Sequence, residues 1–550
     1  MSRLLWPILF AVACSRATGV DEAKDGPDDT DGDTDGTSDD DTARGDDTET
    51  AVDTDPDTDV GPACLPYHQA VGEDCVYQPP TNTRTTSVST VPDTIASGPG
   101  NAVFLGETAF VAGTHRNADL GLTSGVFTTP TSGYGGHVLK LDAKGAVVGE
   151  LVIDFGARGY TTTLAGNGDR LLLTTWFNDD RLVVAPGGKD ELVIDATSDG
   201  RAGAIIALDA DLKPLWALVQ DSTSTFEGSP VADLRADGSG CVGAYYVDDA
   251  VLTGPGGTQT LPAVSNGSWL GWVDRDGALT RTLTFAIASG NSPIRGLYGV
   301  AALEDGSCIA LFNAADGMEA SPGDAATATA ATWGTLLARF AADGSLTWAR
   351  EVTTDRWTSV GALAKGPGRV GFLTFGPNTP TTWDLGGAHE TVIAATPMPN
   401  EGEMSWASVW SFDGDLMWVR PHASDQEILL SYPSFGPDGA FYAGSSWQYG
   451  TSILDRDGSV AVTVAGDAAR SIGVLARHRP DDGALEWVRT VTTPTEEVFD
   501  LSASESPDGR ILVRGSIGDV ATVRGPGGAV EGTATPYQGG YESLVWWLER

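Results

Sequence analysis

Basic residues are scarce in this 550-residue chain. It holds 33 Lys and Arg against 75 Asp and Glu, a net charge of −42. Nucleic acid and anionic lipid headgroups are therefore poor partners on electrostatic grounds. Only five Cys and six His occur. The histidines, His68, His115, His137, His389, His422 and His478, stand singly, with no ligand-like spacing to one another or to Cys. The motifs GxSxG, HExxH, GxxxxGK[ST] and CxxC are absent. No run reaches the roughly 18 apolar residues of a membrane-spanning helix. These absences remove metal centres, the common nucleophilic triads and P-loop chemistry, and imply no cofactor.

What is plentiful is glycine, at 70 residues, with 41% apolar residues. That composition suits many short strands joined by turns, and the length calls for several domains or a repeat array.

The N-terminus reads as an address. Arg3 is followed by the apolar run Leu4 to Ala13, ending in small residues. Ala11-Val12-Ala13-Cys14 resembles the lipobox of bacterial lipoproteins, which implies cleavage before Cys14 and acylation of its sulfur, the alternative being simple cleavage. By the same resemblance, Ser15 after the Cys favours the outer membrane. Residues 21–60 carry 16 Asp and 2 Glu against Lys24 and Arg44. So charged a segment cannot offset its ordering entropy by burial, and a solvated tether spanning about 40 Å is expected. Asp31, Asp33, Asp35 and Gly36 match the start of an EF-hand loop, but Thr42 stands where a bidentate Glu belongs.

Beyond residue 83 the chain repeats itself. One unit is a turn followed by an apolar strand, as in "GNGDRLLLTT" (166–175), "ADGSGCVGAYY" (236–246) and "PDGRILVRGS" (507–516). Its turn glycines fall at 100, 168, 238, 306, 368, 439 and 509, about 68 residues apart. A second unit is a strand, an Asp-Gly turn and a strand with Trp, as in "GTLLARFAADGSLTWAR" (334–350) and "SWASVWSFDGDLMWVR" (405–420). Gly277, Gly344, Gly414 and Gly483 mark those turns, and Trp216, Trp348, Trp418 and Trp487 the strands after them. Seven copies of each unit give four strands per repeat, with an insert of about twenty residues between the second and third. Four-stranded units repeated in a ring make an all-β, seven-bladed β-propeller. The Trp then fills gaps between blades; a stacked sugar platform would need it exposed.

The pattern resembles bacterial seven-bladed β-propeller repeat proteins, whose units read "DGSxxVTG … DxFxARYDxDGxLxW". The DGxLxW strand is also similar to the quinoprotein propeller repeat, but the TG before that family's spacer is missing. Asp274-Arg275-Asp276-Gly277 and Asp455-Arg456-Asp457-Gly458 resemble calcium loops of integrin-type propellers; Thr280 and Ala461 replace a needed Asp, so both read as turns and no metal is assigned.

The organisation expected is a signal peptide over 1–13, a tether over 14–63, a Cys-bounded segment over 64–82 and the propeller over 83–550. The last repeat, ending at "ESLVWWLER" (542–550), lacks its fourth strand. Elsewhere the Trp precedes the next turn glycine by about 21 residues, and counting back from Gly100 reaches Gln78. Residues 73–78 are therefore expected to pair with 542–548 and close the ring, pinned by a Cys64–Cys75 disulfide in an oxidising compartment. Cys241 and Cys308, near-equivalent in successive repeats, either bridge adjacent blades or are buried thiols.

Two functional classes remain. One is a lipid-anchored, monomeric scaffold on the periplasmic or outer side of the outer membrane, binding a protein or glycan partner through its inserts and touching the membrane only through its anchor. A role in assembling outer-membrane proteins is a variant of it. The other is a channel-centred lyase or glycosidase acting on an envelope polymer. No residue is singled out as catalytic, which favours the scaffold.

Overall fold

The computed structural model describes most of residues 84–549, and two short strands before them. Residues 1–67 and several loops, among them 92–100, 117–133 and 322–333, lie outside the described residues. Cys14, Cys64, Gly100 and the Asp455–Gly458 turn fall there. The chain divides into two units, 1–79 and 80–550. In the first, His68–Val71 and Asp74–Tyr77 form an antiparallel hairpin.

The second unit is a seven-bladed β-propeller. Its inner strands, in chain order, are Ala102–Leu105, Gly159–Asn167, Val231–Leu234, Leu297–Ala302, Ser359–Gly366, Ser434–Phe435 with Ile428–Leu430, and Val498–Glu505. We number the blades in that order. In the second blade the chain runs from Gly159–Asn167 through Arg170–Phe177 and Ala202–Asp209 to Pro214–Ser222, each strand antiparallel to the last. Alternate residues of these strands face the two neighbouring blades, so both faces are apolar and the second strands read almost continuously hydrophobic. Leu171, Leu172 and Leu173 are all fully buried.

Both turns of a blade lie at one end of the ring, the turn face; inserts and blade-to-blade connections lie at the other. Gly106, Gly168, Gly238, Gly306, Gly368, Gly439 and Gly509, between first and second strands, all have positive φ, which an L side chain adopts only with strain. In the first repeat the turn is therefore at Gly106, six residues beyond the Gly100 of the sequence reading.

That displacement corrects the ring closure. The strand beside Glu542–Glu549 is Arg84–Val91, paired from Arg84↔Glu549 to Val91↔Ser543. Residues 74–77 instead pair with 68–71. Counted back from Gly106, the same interval of about 21 residues falls at Thr85, inside the observed strand.

The inserts form a second departure. Six of them pair with the outermost strand of the preceding blade: Arg181–Val184 on Val147–Asp154, and likewise from 250, 318, 381, 451 and 521. An outer strand with open N–H and C=O groups invites foreign pairing, and the next repeat covers it. Leu182, Leu252, Trp383, Ile453 and Val523 from these inserts are fully buried. The inserts are thus partly core, and not only a rim.

Candidate functional site

The turn between third and fourth strands brings the repeat residues together. Gly277, Gly344, Gly414 and Gly483 have φ of 85°, 82°, 87° and 69°. Trp216, on the second blade's fourth strand, lies over Gly277 of the third, where an added Cβ would sit 2.4 Å from the ring. Its Nε1 donates to the Arg275 carbonyl at 3.1 Å. Trp348 covers Gly414 and donates to Phe412 O; Trp418 covers Gly483 and donates to Pro480 O, each at 3.0 Å. At Gly344 the covering side chain is Arg281. Trp487 is buried, with Arg489 4.5 Å from its ring centre. It faces the seventh blade, where no turn exists because the third and fourth strands are Glu542–Glu549 and Arg84–Val91.

Cations cross every one of these seams. Lys140 meets Asp211 at 2.9 Å between blades one and two. Arg170 donates to Arg275 O between two and three. Arg235 donates to Leu303 O and Gly306 O at 2.6 and 2.8 Å, and Arg339 to Phe412 O at 2.9 Å. Arg369 reaches Pro480 O at 2.6 Å, Arg477 approaches Glu505 at 3.7 Å, and Arg510 donates to Glu107 O at 3.0 Å. A chain poor in Lys and Arg uses them to join its blades.

The inner strands carry little charge. Among side chains the structure describes there, Asp233 and Glu505 are the carboxylates and Lys365 the cation. Lys365, on the fifth blade, lies 2.6 Å from Asp233 of the third. It also donates to Leu234 O at 2.7 Å and to Ala302 O of the fourth blade at 3.0 Å. Lys365 thus links three blades, its own and the two that carry its acceptors, at the turn end of the channel. Asp233 also accepts from the Ala302 amide at 2.7 Å. Glu505 accepts from Tyr442 Oη at 2.5 Å. Arg477, almost wholly buried, donates to Tyr442 Oη at 2.9 Å and to Asp438 at 2.6 Å, and pairs with Glu486. Burial pushes the Tyr442 phenol well above its ordinary value, and the neighbouring Glu505 adds to the shift. For Arg477 burial opposes charge, but Tyr442, Asp438 and Glu505 outweigh it and hold the guanidinium charged. Each of these groups is bonded to another, so the arrangement ties blades six and seven together, and both inner-strand carboxylates among the described side chains are engaged.

Cys241 and Cys308 form a disulfide between the third and fourth blades, with Cα atoms 6.1 Å apart. Cys241 pairs with Asp233 and Cys308 with Ala302, whereas the residue equivalent to Ala302 in the third blade, Leu234, pairs with Gly240. The two cysteines are therefore offset by one residue, and that offset turns them to opposite sheet faces, toward each other. Cys75 lies in Asp74–Tyr77, with its side chain outside the described residues.

His422 and His478, 56 residues apart, bring their Nε2 atoms to 3.3 Å of each other between blades five and six. Nothing in the sequence spacing pairs them. Among the described residues no cluster of three or more His, Cys, Asp or Glu could hold a metal ion. The Asp274 carboxylate accepts from the Asp276 and Ala278 amides at 2.9 Å, the bonding of a turn. No protein-family model matches this chain, and no curated protein matches it.

Proposed function

We propose that the protein is a lipid-anchored β-propeller of the cell envelope that serves as a non-catalytic scaffold for a protein or glycan partner. The observation that carries this reading is the engagement of Asp233 and Glu505. A glycosidase or lyase centred on the channel needs a carboxylate free to exchange a proton with substrate. Here Lys365 holds one and the Tyr442–Arg477 pair holds the other. The anchor and address rest on the lipobox-like end of the apolar run, with the acidic tether holding the propeller clear of the membrane.

Two measurements test the proposal. Cys14→Ser should move the protein from the membrane to the soluble fraction. The purified propeller should turn over no member of a broad glycan and peptide panel. Turnover abolished by Asp233→Asn would replace the scaffold with the channel enzyme.

A further inference from the structure

The seam between blades five and six is closed by a pair of imidazoles. His422, on Leu416–Ser424, and His478, on Ser471–His478, are both buried, with ring planes 23° apart. His478 Nδ1 lies 2.9 Å from the Gly483 carbonyl. A carbonyl only accepts, so Nδ1 carries the proton and Nε2 of His478 is bare. The hydrogen bond at 3.3 Å must then be donated by His422 Nε2. One proton sits between the rings, and there is no room for a second.

The surroundings reject that second proton as well. From blade five, Arg420 donates to the same Gly483 carbonyl at 3.1 Å, placing a guanidinium beside His478. From blade six the nearby carboxylate is Asp482, which Arg479 and the Ala484 amide at 2.9 Å already engage. Trp418, whose ring centre is 5.8 Å from that of His478, completes the seam by covering Gly483.

We propose that the His422–His478 pair is an acid-operated latch, and that adding a proton to it opens the seam between the fifth and sixth blades. The proton enters at His478 Nε2 and displaces the hydrogen bond from His422, leaving two N–H groups face to face. Burial, and then the neighbouring His478, place His422 well below its ordinary 6.5; burial, with a contribution from Arg420, brings His478 to about 4. Both shifts are downward, so the opened seam binds more protons than the closed one as pH falls. Closure is at full strength above pH 6.5 and is lost as pH falls toward about 4. His478 alone would favour opening on the order of a hundredfold more at the acid end.

Hydrogen exchange of the mature protein tests this at neutral pH and at about pH 4.5, with intrinsic rates corrected. Peptides over 416–424 and 471–478 should exchange at least about tenfold faster in acid, reversibly, while 159–177 of the second blade stays protected. Uniform acceleration of all blades, or none, would overturn the latch. His422→Gln with His478→Asn keeps the two neutral donors but removes both titrating rings, and should abolish the local acid response; its persistence would overturn the proposal. Should that variant not fold, the imidazole NMR signals of the native protein decide. Protonation coincident with seam opening supports the latch, and titration near 6.5 with the seam closed refutes it.

Discussion

Gly149 and Leu212 occupy, at the first seam, the two places that Trp216 and Gly277 hold at the second. Gly149 pairs with Lys140 as Trp216 pairs with Ala207, each beside a bulge. Leu212, at φ 65°, stands at the turn position of Gly277 and is buried among side chains of both blades. The bulk that closes the gap has moved from strand to turn. Leu212→Gly should therefore destabilise by about 1–3 kcal/mol, the cavity cost outweighing relief of the left-handed backbone. Gly149→Trp alone should also destabilise, by overpacking. Together they should lose less than the sum in urea unfolding; simple additivity would mean that the positions do not share one space.

Gly277→Ala tests the other arrangement. The new Cβ meets Trp216 and the residue must hold φ 85°. A loss of about 2–4 kcal/mol is expected from strain and overlap combined. Trp216→Ala in the same chain should remove the overlap but leave the strain, so the second substitution costs less in this background than alone. Equal costs in both backgrounds would separate the two residues.

The disulfide closes a loop with a sequence separation of 67. Its loss, as Cys241→Ser with Cys308→Ser, should cost about 4 kcal/mol on the loop-entropy account. The check is the shift in denaturant midpoint. A shift near zero would mean that packing and Arg235 alone fix these blades.

Ring closure by Arg84–Val91 makes a sharp contrast between two truncations. Removing 15–80 should leave the melting temperature of the propeller nearly unchanged. Removing 15–92 should lower it strongly, because the edge of Glu542–Glu549 is then unpaired. Equal melting temperatures would place the closing strand elsewhere.

The fold was readable because its turn chemistry is local and recurs: Asp, Gly and a Trp four positions after the Gly. The first repeat misled because "GPGN" offers a glycine before a very short inner strand, so the frame slipped to Gly100. The closing strand was hidden because Ser87 sits where Trp would stand, opposite Trp547. Trp547 itself covers the first blade's turn at Gly145, so the bulk lies on the third strand there. The inserts' destination was illegible, since it depends on an edge contributed by the preceding repeat. Lys365 and the His422–His478 pair are single long-range contacts with no period to betray them; Arg477 stands at the repeated place that Arg339 also holds, but its partners across the seam do not recur.

The backward pairing of the inserts sets an order of events during synthesis. Each blade keeps an open edge until the second strand of the next has emerged and its insert can turn back. The growing chain thus always presents one unfinished edge, and each new repeat both closes it and creates another. Only the final contact breaks this rhythm. Thr85 must wait for Trp546, 461 residues later, before the hydrogen bond between them can form. Such a closure carries the largest chain-entropy cost in the molecule and comes last. Until then the ring is an open arc, with one strand of the seventh blade, Arg84–Val91, at its first end and the other three at its last.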